Sequence, residues 1–171
     1  MNETPKQYVQ RILGYVEGKR PLAVLQSTPQ KLSRQVRGLN PAQLGRRPAP
    51  GKWSIREILA HLAETEIVIG YRLRMIRSKN GTPIQAFDQD VWAKSSNYAR
   101  MDARLALASF GALRRLNVAF LKSIPASKLG YYGMHAERGK ETIAHLIRLF
   151  AGHDMNHLSQ VARIRNQTAR R

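Results

Sequence analysis

The sequence predicts an all-α fold: a four-helix bundle with a long connection between its second and third helices and a short extra helix at the N-terminus. Three observations predict it. Apolar residues recur at helical spacing along the long stretches, no stretch sustains the alternation of a strand, and Ser, Thr or Asp stands where helices should begin. The 171 residues suit one domain, 1–171, with residues 1–27 as an extension packed on the bundle.

Thr4-Pro5 followed by Gln7 is an N-cap with Pro at the first helical position, and Tyr8, Ile12, Tyr15 and Val16 form a short apolar stripe that Gly18 and Pro21 end. Thr28-Pro29 repeats the start signal, with Leu32, Val36 and Leu39 on the inward face of the next helix. The segment "LNPAQLGRRPAPGKWS" carries Pro41, Pro48, Pro50 and Gly51 and reads as a surface loop. Ser54, with Glu57 as capping-box partner, opens a helix from Ile55 to Ser78 whose Ile55, Ile58, Leu59, Leu62, Ile69, Leu73 and Ile76 make one stripe.

Residues 79–101, including "KNGTPIQAFDQDVWAK", lack a consistent period and form a long connection, a functional segment or a crossover. Asp102 caps the third bundle helix, with Leu105, Phe110, Leu113, Leu116, Phe120 and Leu121 as its apolar positions, and Pro125 stops it. "LGYYGMHAERGKE" reads as a second loop. Thr142 or Gly139 then opens the last helix, with Ile143, Leu146, Ile147, Phe150, Leu158, Val161 and Ile164 facing inward.

The absence of Cys excludes disulfides, thiolate zinc sites and cysteine nucleophiles, so any metal must be held by His, Asp, Glu or water. Lys and Arg number 29 against 11 Asp and Glu, a net charge of +18. Such a charge attracts nucleic acid, an anionic membrane surface or an anionic small molecule. Aromatic residues do not interleave with the basic ones, and no helix-turn-helix or finger pattern is present, which ranks a nucleic-acid-binding module below the other readings. "MNETPKQYVQ" has no signal-peptide pattern and no apolar run approaches the ~20 residues of a membrane span, so the cytoplasm is the expected location.

His153 and His157 lie four apart in "AGHDMNHLSQ", about 40° around a helix and ~6 Å along it, a spacing at which two imidazoles can share one ion. That spacing arises by chance in about one such sequence in nine, so alone it is weak. Both fall on the inward side of their helix or its margin, whereas His145 falls outward, to solvent. His61 sits at the margin of the second bundle helix's buried arc and could supply a third imidazole from a different helix. Three neutral imidazoles with open water positions make a catalytic zinc-type site, and nickel or iron fits them as well, so the divalent metal is not distinguished. Glu66, inside an apolar arc, requires a partner such as an Arg. Glu57 and Asp154 are, with Glu66, candidates to hydrogen-bond the ligands' outer nitrogens, the alternatives being the capping box for Glu57 and a buried ion pair for Asp154 or Glu66.

"PAPGKWSIREILAHLAETE" followed by "ERGKETIAHLIRLFAGHDMNHLSQVARI" resembles the DinB/YfiT-like superfamily of metalloenzymes, which includes the bacillithiol transferases. The similarity spans about Pro29 to Arg165 and takes in "FDQDVWAK" and "FGALRRLN". It implies a four-helix bundle, a homodimer, and a divalent metal held by three histidines, which fall here on His61, His153 and His157. The family's "HPERG" appears as "HAERG", with Ala136 in place of Pro, and His135 is not assigned to the metal. Thiol S-transferase relatives imply a metal-dependent transferase that uses a low-molecular-weight thiol or another anionic small molecule. A metal-dependent hydrolase with Glu66 or Asp154 as base is the alternative.

Overall fold

Helix caps set the frame of the computed structural model, which describes residues 3–169. Thr4 accepts from the backbone N–H of Gln7 while the Gln7 side chain returns to Thr4, fixing the start of α1 (Pro5–Gly14). The next helix, α2 (Pro21–Val36), begins at Pro21 and not at Thr28. Pro29 therefore lies inside a helix, where it leaves the Leu25 carbonyl without its intrahelical donor. Arg114 Nη1, reaching from another helix, donates to that carbonyl at 3.0 Å. The proline is tolerated because a side chain elsewhere in the bundle takes up the acceptor it frees.

The Pro-rich segment after α2 contains one more short helix, α3 (Pro41–Gly45), capped by Asn40 and Gln43 in the same reciprocal way. Ser54 and Glu57 open α4 (Ile55–Ser78), with the bounds the sequence predicts. Residues 79–101 hold β1 (Thr82–Ile84), α5 (Gln89–Ser95) and a 3₁₀ turn at Tyr98–Arg100. Asp102 caps α6 (Ala103–Lys122). The second expected loop is a hairpin of β2 (Tyr132–His135) and β3 (Gly139–Thr142), after which α7 (Ile143–Ala169) closes the chain. β2 is the middle strand of the small sheet, parallel to β1 and antiparallel to β3. Segments of three and four residues are too short to show an alternating period, so the strands are invisible in the sequence.

The bundle is α2, α4, α6 and α7: α4 packs on α6 and α7, and α2 on α7 and α6. On α6 the inward arc is Ala103, Ala106, Phe110, Arg114, Asn117 and Leu121. Leu105 and Leu116, expected to face inward, lie on the opposite side and are 63% and 59% exposed. Polar Arg114 and Asn117 occupy the arc in their place.

Two apolar clusters fill the bundle. One is built from Ile69, Leu73 and Ile76 of α4 with Val118 and Leu121 of α6 and Ile143 to Ala151 of α7. The other joins Ile55 to Ala63 of α4 with Ala103, Ala106 and Phe110 of α6 and Leu158, Val161 and Ile164 of α7. Between them lies a buried polar layer. Arg114 donates to Glu66 Oε1 at 2.7 Å and to Asp154 Oδ1 at 2.9 Å, and Asn117 Nδ2 donates to Glu66 Oε2 at 3.0 Å. Burial opposes the charge on Arg114, but Asp154 and Glu66 beside it outweigh that and raise its pKa.

α1 lies against α7 at Gly152, where an added Cβ would stand 2.0 Å from the Ile12 carbonyl oxygen. Only a residue without a side chain lets the two backbones come that close.

Removing the guanidinium leaves two buried carboxylates unpaired, so Arg114→Met should destabilise the fold by about 3–5 kcal/mol. Urea unfolding measures this as a lower midpoint at unchanged slope. Adding Glu66→Gln and Asp154→Asn should restore part of the loss, and a cost below ~1 kcal/mol for Arg114→Met would show that the layer does not hold the bundle.

Candidate metal centre

His61 projects from α4, and His153 and His157 project from α7, where the two helices meet beside the polar layer. All three are buried, with relative exposures of 1%, 9% and 6%. His61 Nε2 lies 3.0 Å from His153 Nε2, and His157 Nε2 lies 3.1 Å from the same atom. Three nitrogens on one zinc-like ion at ~2.05 Å would be separated by ~2.9 Å at right angles and by ~3.3 Å at tetrahedral angles. The observed spacings fall within that range, so the residues fit a divalent ion.

The protonation states fit as well. Burial, followed by the neighbouring His157 and His153, pushes His61 well below its ordinary value. Burial and the Arg114 cation hold His153 down at about 4. Burial and His153 hold His157 down at about 3, although Gln160 and Asp154 pull the other way. All three rings are therefore neutral near pH 7. His157 Nδ1 lies 2.9 Å from Gln160 Oε1, an acceptor, so the ring proton sits on Nδ1 and Nε2 presents a lone pair. Thr65 Oγ1 rests 3.5 Å from both nitrogens of His61. Trp53 lies against the His61 ring at a centroid distance of 4.9 Å, and Phe87 lies nearly parallel to it at 6.4 Å.

None of the three candidate carboxylates hydrogen-bonds a ring nitrogen of this cluster. Glu66 and Asp154 are both taken by Arg114. Glu57 sits in its capping box, accepting from the Ser54 N–H at 2.8 Å, and pairs with Arg47. Burial raises its pKa, but the Arg47 and Ser54 bonds hold it below the ordinary carboxylate value. Gln160 is the outer partner that sequence reasoning missed, and its signal was its place one turn after His157. Arg114 could have been found by the logic applied to Glu66, since it is a charge within an apolar arc. His145, expected to face solvent, is half-buried where β3 packs on the first turn of α7, and burial lowers its pKa. His135 stands apart at the end of β2.

Two clefts reach the histidines. One, of about 540 Å³, exposes His61 and His153 beside Thr65, Val68, Arg72, Phe87 and Phe150. The other, of about 690 Å³, exposes His157 beside Trp53, Lys52 and Gln160. No helix among the described residues is long and apolar enough to cross a membrane.

The sequence model of the DinB superfamily matches residues 25–161. A protein of Oceanobacillus iheyensis that carries the name "Putative metal-dependent hydrolase" is 24% identical over 137 residues, covering 80% of this chain and 79% of its own. A protein of Bacillus mycoides with the same kind of name is 21% identical over 143 residues, covering 84% and 82%. Among solved structures, YfiT from Bacillus subtilis, described as "a probable metal-dependent hydrolase with an unusual four-helix bundle topology", superposes with a TM-score of 0.82. It is 18% identical, and the match covers 99% of this chain and 91% of that one.

Every histidine in the chain is held below its ordinary pKa in the folded state. The unfolded chain therefore takes up protons first, near pH 6.5, and stability present above that pH is lost as the pH falls toward the folded values of about 4 and 3. In EDTA, the thermal midpoint should be lower at pH 5.5 than at pH 7.5, and His153→Ala should flatten the dependence. Equal midpoints for the wild type would contradict the assignment of neutral, buried rings.

Proposed function

We propose that this chain, which belongs to the DinB superfamily, holds a divalent metal on His61, His153 and His157 and turns it on a nucleophile supplied from solution, a low-molecular-weight thiol first of all. One observation carries the reading: three neutral imidazoles converge at 3.0 and 3.1 Å, while both carboxylates of the adjacent layer are bound to Arg114. A divalent ion held by these imidazoles would supply Lewis acidity, lowering the pKa of an external thiol or water and so making a nucleophile available near neutral pH.

The chain's own residues supply the rest. Gln160 fixes the tautomer of His157. Trp53 and Phe87 flank His61 and limit water at that ring. The open cleft admits a small molecule to His61 and His153. With no Cys in the sequence, no thiol of the protein competes with an external one.

Hydrolysis is the second reading, and the names of the relatives favour it. It must do without the bases the sequence suggests. Glu66 and Asp154 both lie against the Arg114 guanidinium, buried and accepting hydrogen bonds from it, so neither is free to take a proton from an attacking group.

Elemental analysis of the purified protein beside His153→Ala tests the site before any substrate is chosen. About one divalent ion per chain is expected in the wild type, with most of it lost in the variant. Protein that carries no stoichiometric metal and acquires none under reducing conditions would sink both readings. Metal-loaded protein then separates the two. Consumption of a thiol with an electrophile supports transfer, and cleavage of an ester or amide panel without thiol supports hydrolysis.

A further inference from the structure

The larger part of the 540 Å³ cleft is not used by the histidines. His61, Thr65, Val68 and Arg72 all line it, and they fall within about 60° of one another around α4, so one face of this helix runs from the candidate metal ligands to a guanidinium. Arg72 stands eleven residues beyond His61, ~16 Å along the axis, and side chains on a helix lean back toward its N-terminus, which brings the cation toward the histidines.

Arg72 is only 6% exposed, yet among the described residues it makes no ion pair. Its one hydrogen bond goes from Nη2 to the backbone carbonyl of Gln85, the residue that follows β1. Its remaining donors are not sealed in the core but open on the cleft, where an acceptor on a bound molecule would complete them. Three of the other charges of the cleft are already occupied. Glu3 is paired with Arg11, Asp88 caps α5, and Arg138 is held by Glu141 through bonds of 2.7 and 3.0 Å. Glu137 is exposed and, among the described residues, makes no ion pair. Burial, and then Arg138, push the Arg72 pKa down, while Glu141 and Glu137 pull the other way.

A second incomplete donor belongs to the same cluster. His135 Nδ1 accepts from the N–H groups of Glu137 and Arg138 at 3.2 and 3.3 Å, which leaves the ring proton on Nε2, buried and without a partner. Besides Thr65, the wall of the cleft carries the apolar side chains of Val68, Ile69, Phe87 and Phe150.

We infer that Arg72 is the anchor of a carboxylate subsite, and that the molecule acted on at the histidines carries a carboxylate at one end and an apolar body along Val68, Phe87 and Phe150. A planar carboxylate matches the guanidinium fork with two parallel bonds. The inference rests on the function proposed above for the placement of the reacting end, but the subsite itself requires no metal.

The probes are phenylacetate, its uncharged analogue phenylacetamide, and phenyl phosphate, titrated by calorimetry into EDTA-treated protein and followed by amide shifts at Val68 and Phe87. Phenylacetate should bind at least about tenfold more tightly than the amide, Arg72→Met should abolish that preference, and Arg72→Lys should keep part of it. The acid-against-amide comparison is made on the wild type, so the test survives a variant that fails to fold. Equal binding of acid and amide, a preference for phenyl phosphate over phenylacetate, or phenylacetate binding unchanged in a folded Arg72→Met would each overturn the subsite. Binding seen only after metal loading, and retained in Arg72→Met, would overturn it while leaving the metal reading intact. Arg72-dependent binding to a protein that never takes up metal would support the subsite and remove the function it serves.

Discussion

One buried cation holds this structure together. Arg114 draws Glu66 of α4 and Asp154 of α7 to α6 and also satisfies the Leu25 carbonyl that Pro29 strands in α2, so a single guanidinium ties all four bundle helices. An apolar residue there could fill space, but it could not specify which turn of each helix lies opposite which. The two apolar clusters on either side are interchangeable oil, and the layer between them supplies the register. His153 sits beside Asp154 in the sequence, and His61 sits five residues before Glu66. The same register therefore brings the three imidazoles together.

The N-terminal segment finishes the site. Gly152 lets α1 approach α7 one residue before His153, and Tyr8 and Pro5 of that helix then form part of the cleft wall. The backbone contact that seats α1 and the side chains that shape the cleft come from the same ten residues.

Periodicity and caps made the bundle legible. The bounds of α4, the Thr4, Ser54 and Asp102 caps and the inward set of α7 follow from residue order alone, because long amphipathic helices repeat their signal many times. Thr28-Pro29 misled because the same two residues that start a helix can lie inside one when a distant arginine covers the freed carbonyl. Leu105 and Leu116 misled because hydrophobicity was taken to mean burial, while the true inward face of α6 is centred on a charge. The strands went unseen because three or four residues are too few to show an alternating period, and the partner that completes β1 lies some fifty residues on, in β2. The three histidines were separable from His145 by wheel position, but Gln160 and the occupation of Glu66 and Asp154 by Arg114 depend on rotamers and on inter-helix distance, which sequence order does not carry.

α4 shows how one helix can meet several demands at once. At about 100° per residue, Leu62 and Ile69 face the core, Glu66 faces the polar layer about 140° from His61, and His61, Thr65, Val68 and Arg72 face the cleft. A helix buried on nearly every side cannot carry charges for solubility, so each polar group on it must have an assigned partner. Glu57 has the cap and Arg47, Glu66 has Arg114, and Glu64 accepts from the Tyr98 hydroxyl at 2.7 Å. His61 and Arg72, by contrast, line the cleft, one with a ring nitrogen turned to His153 and the other with donors beyond its bond to the Gln85 carbonyl. Both open on the same cleft. The proposed ligand would use both, its reacting end at His61 and its carboxylate at Arg72, at most ~16 Å apart along the helix.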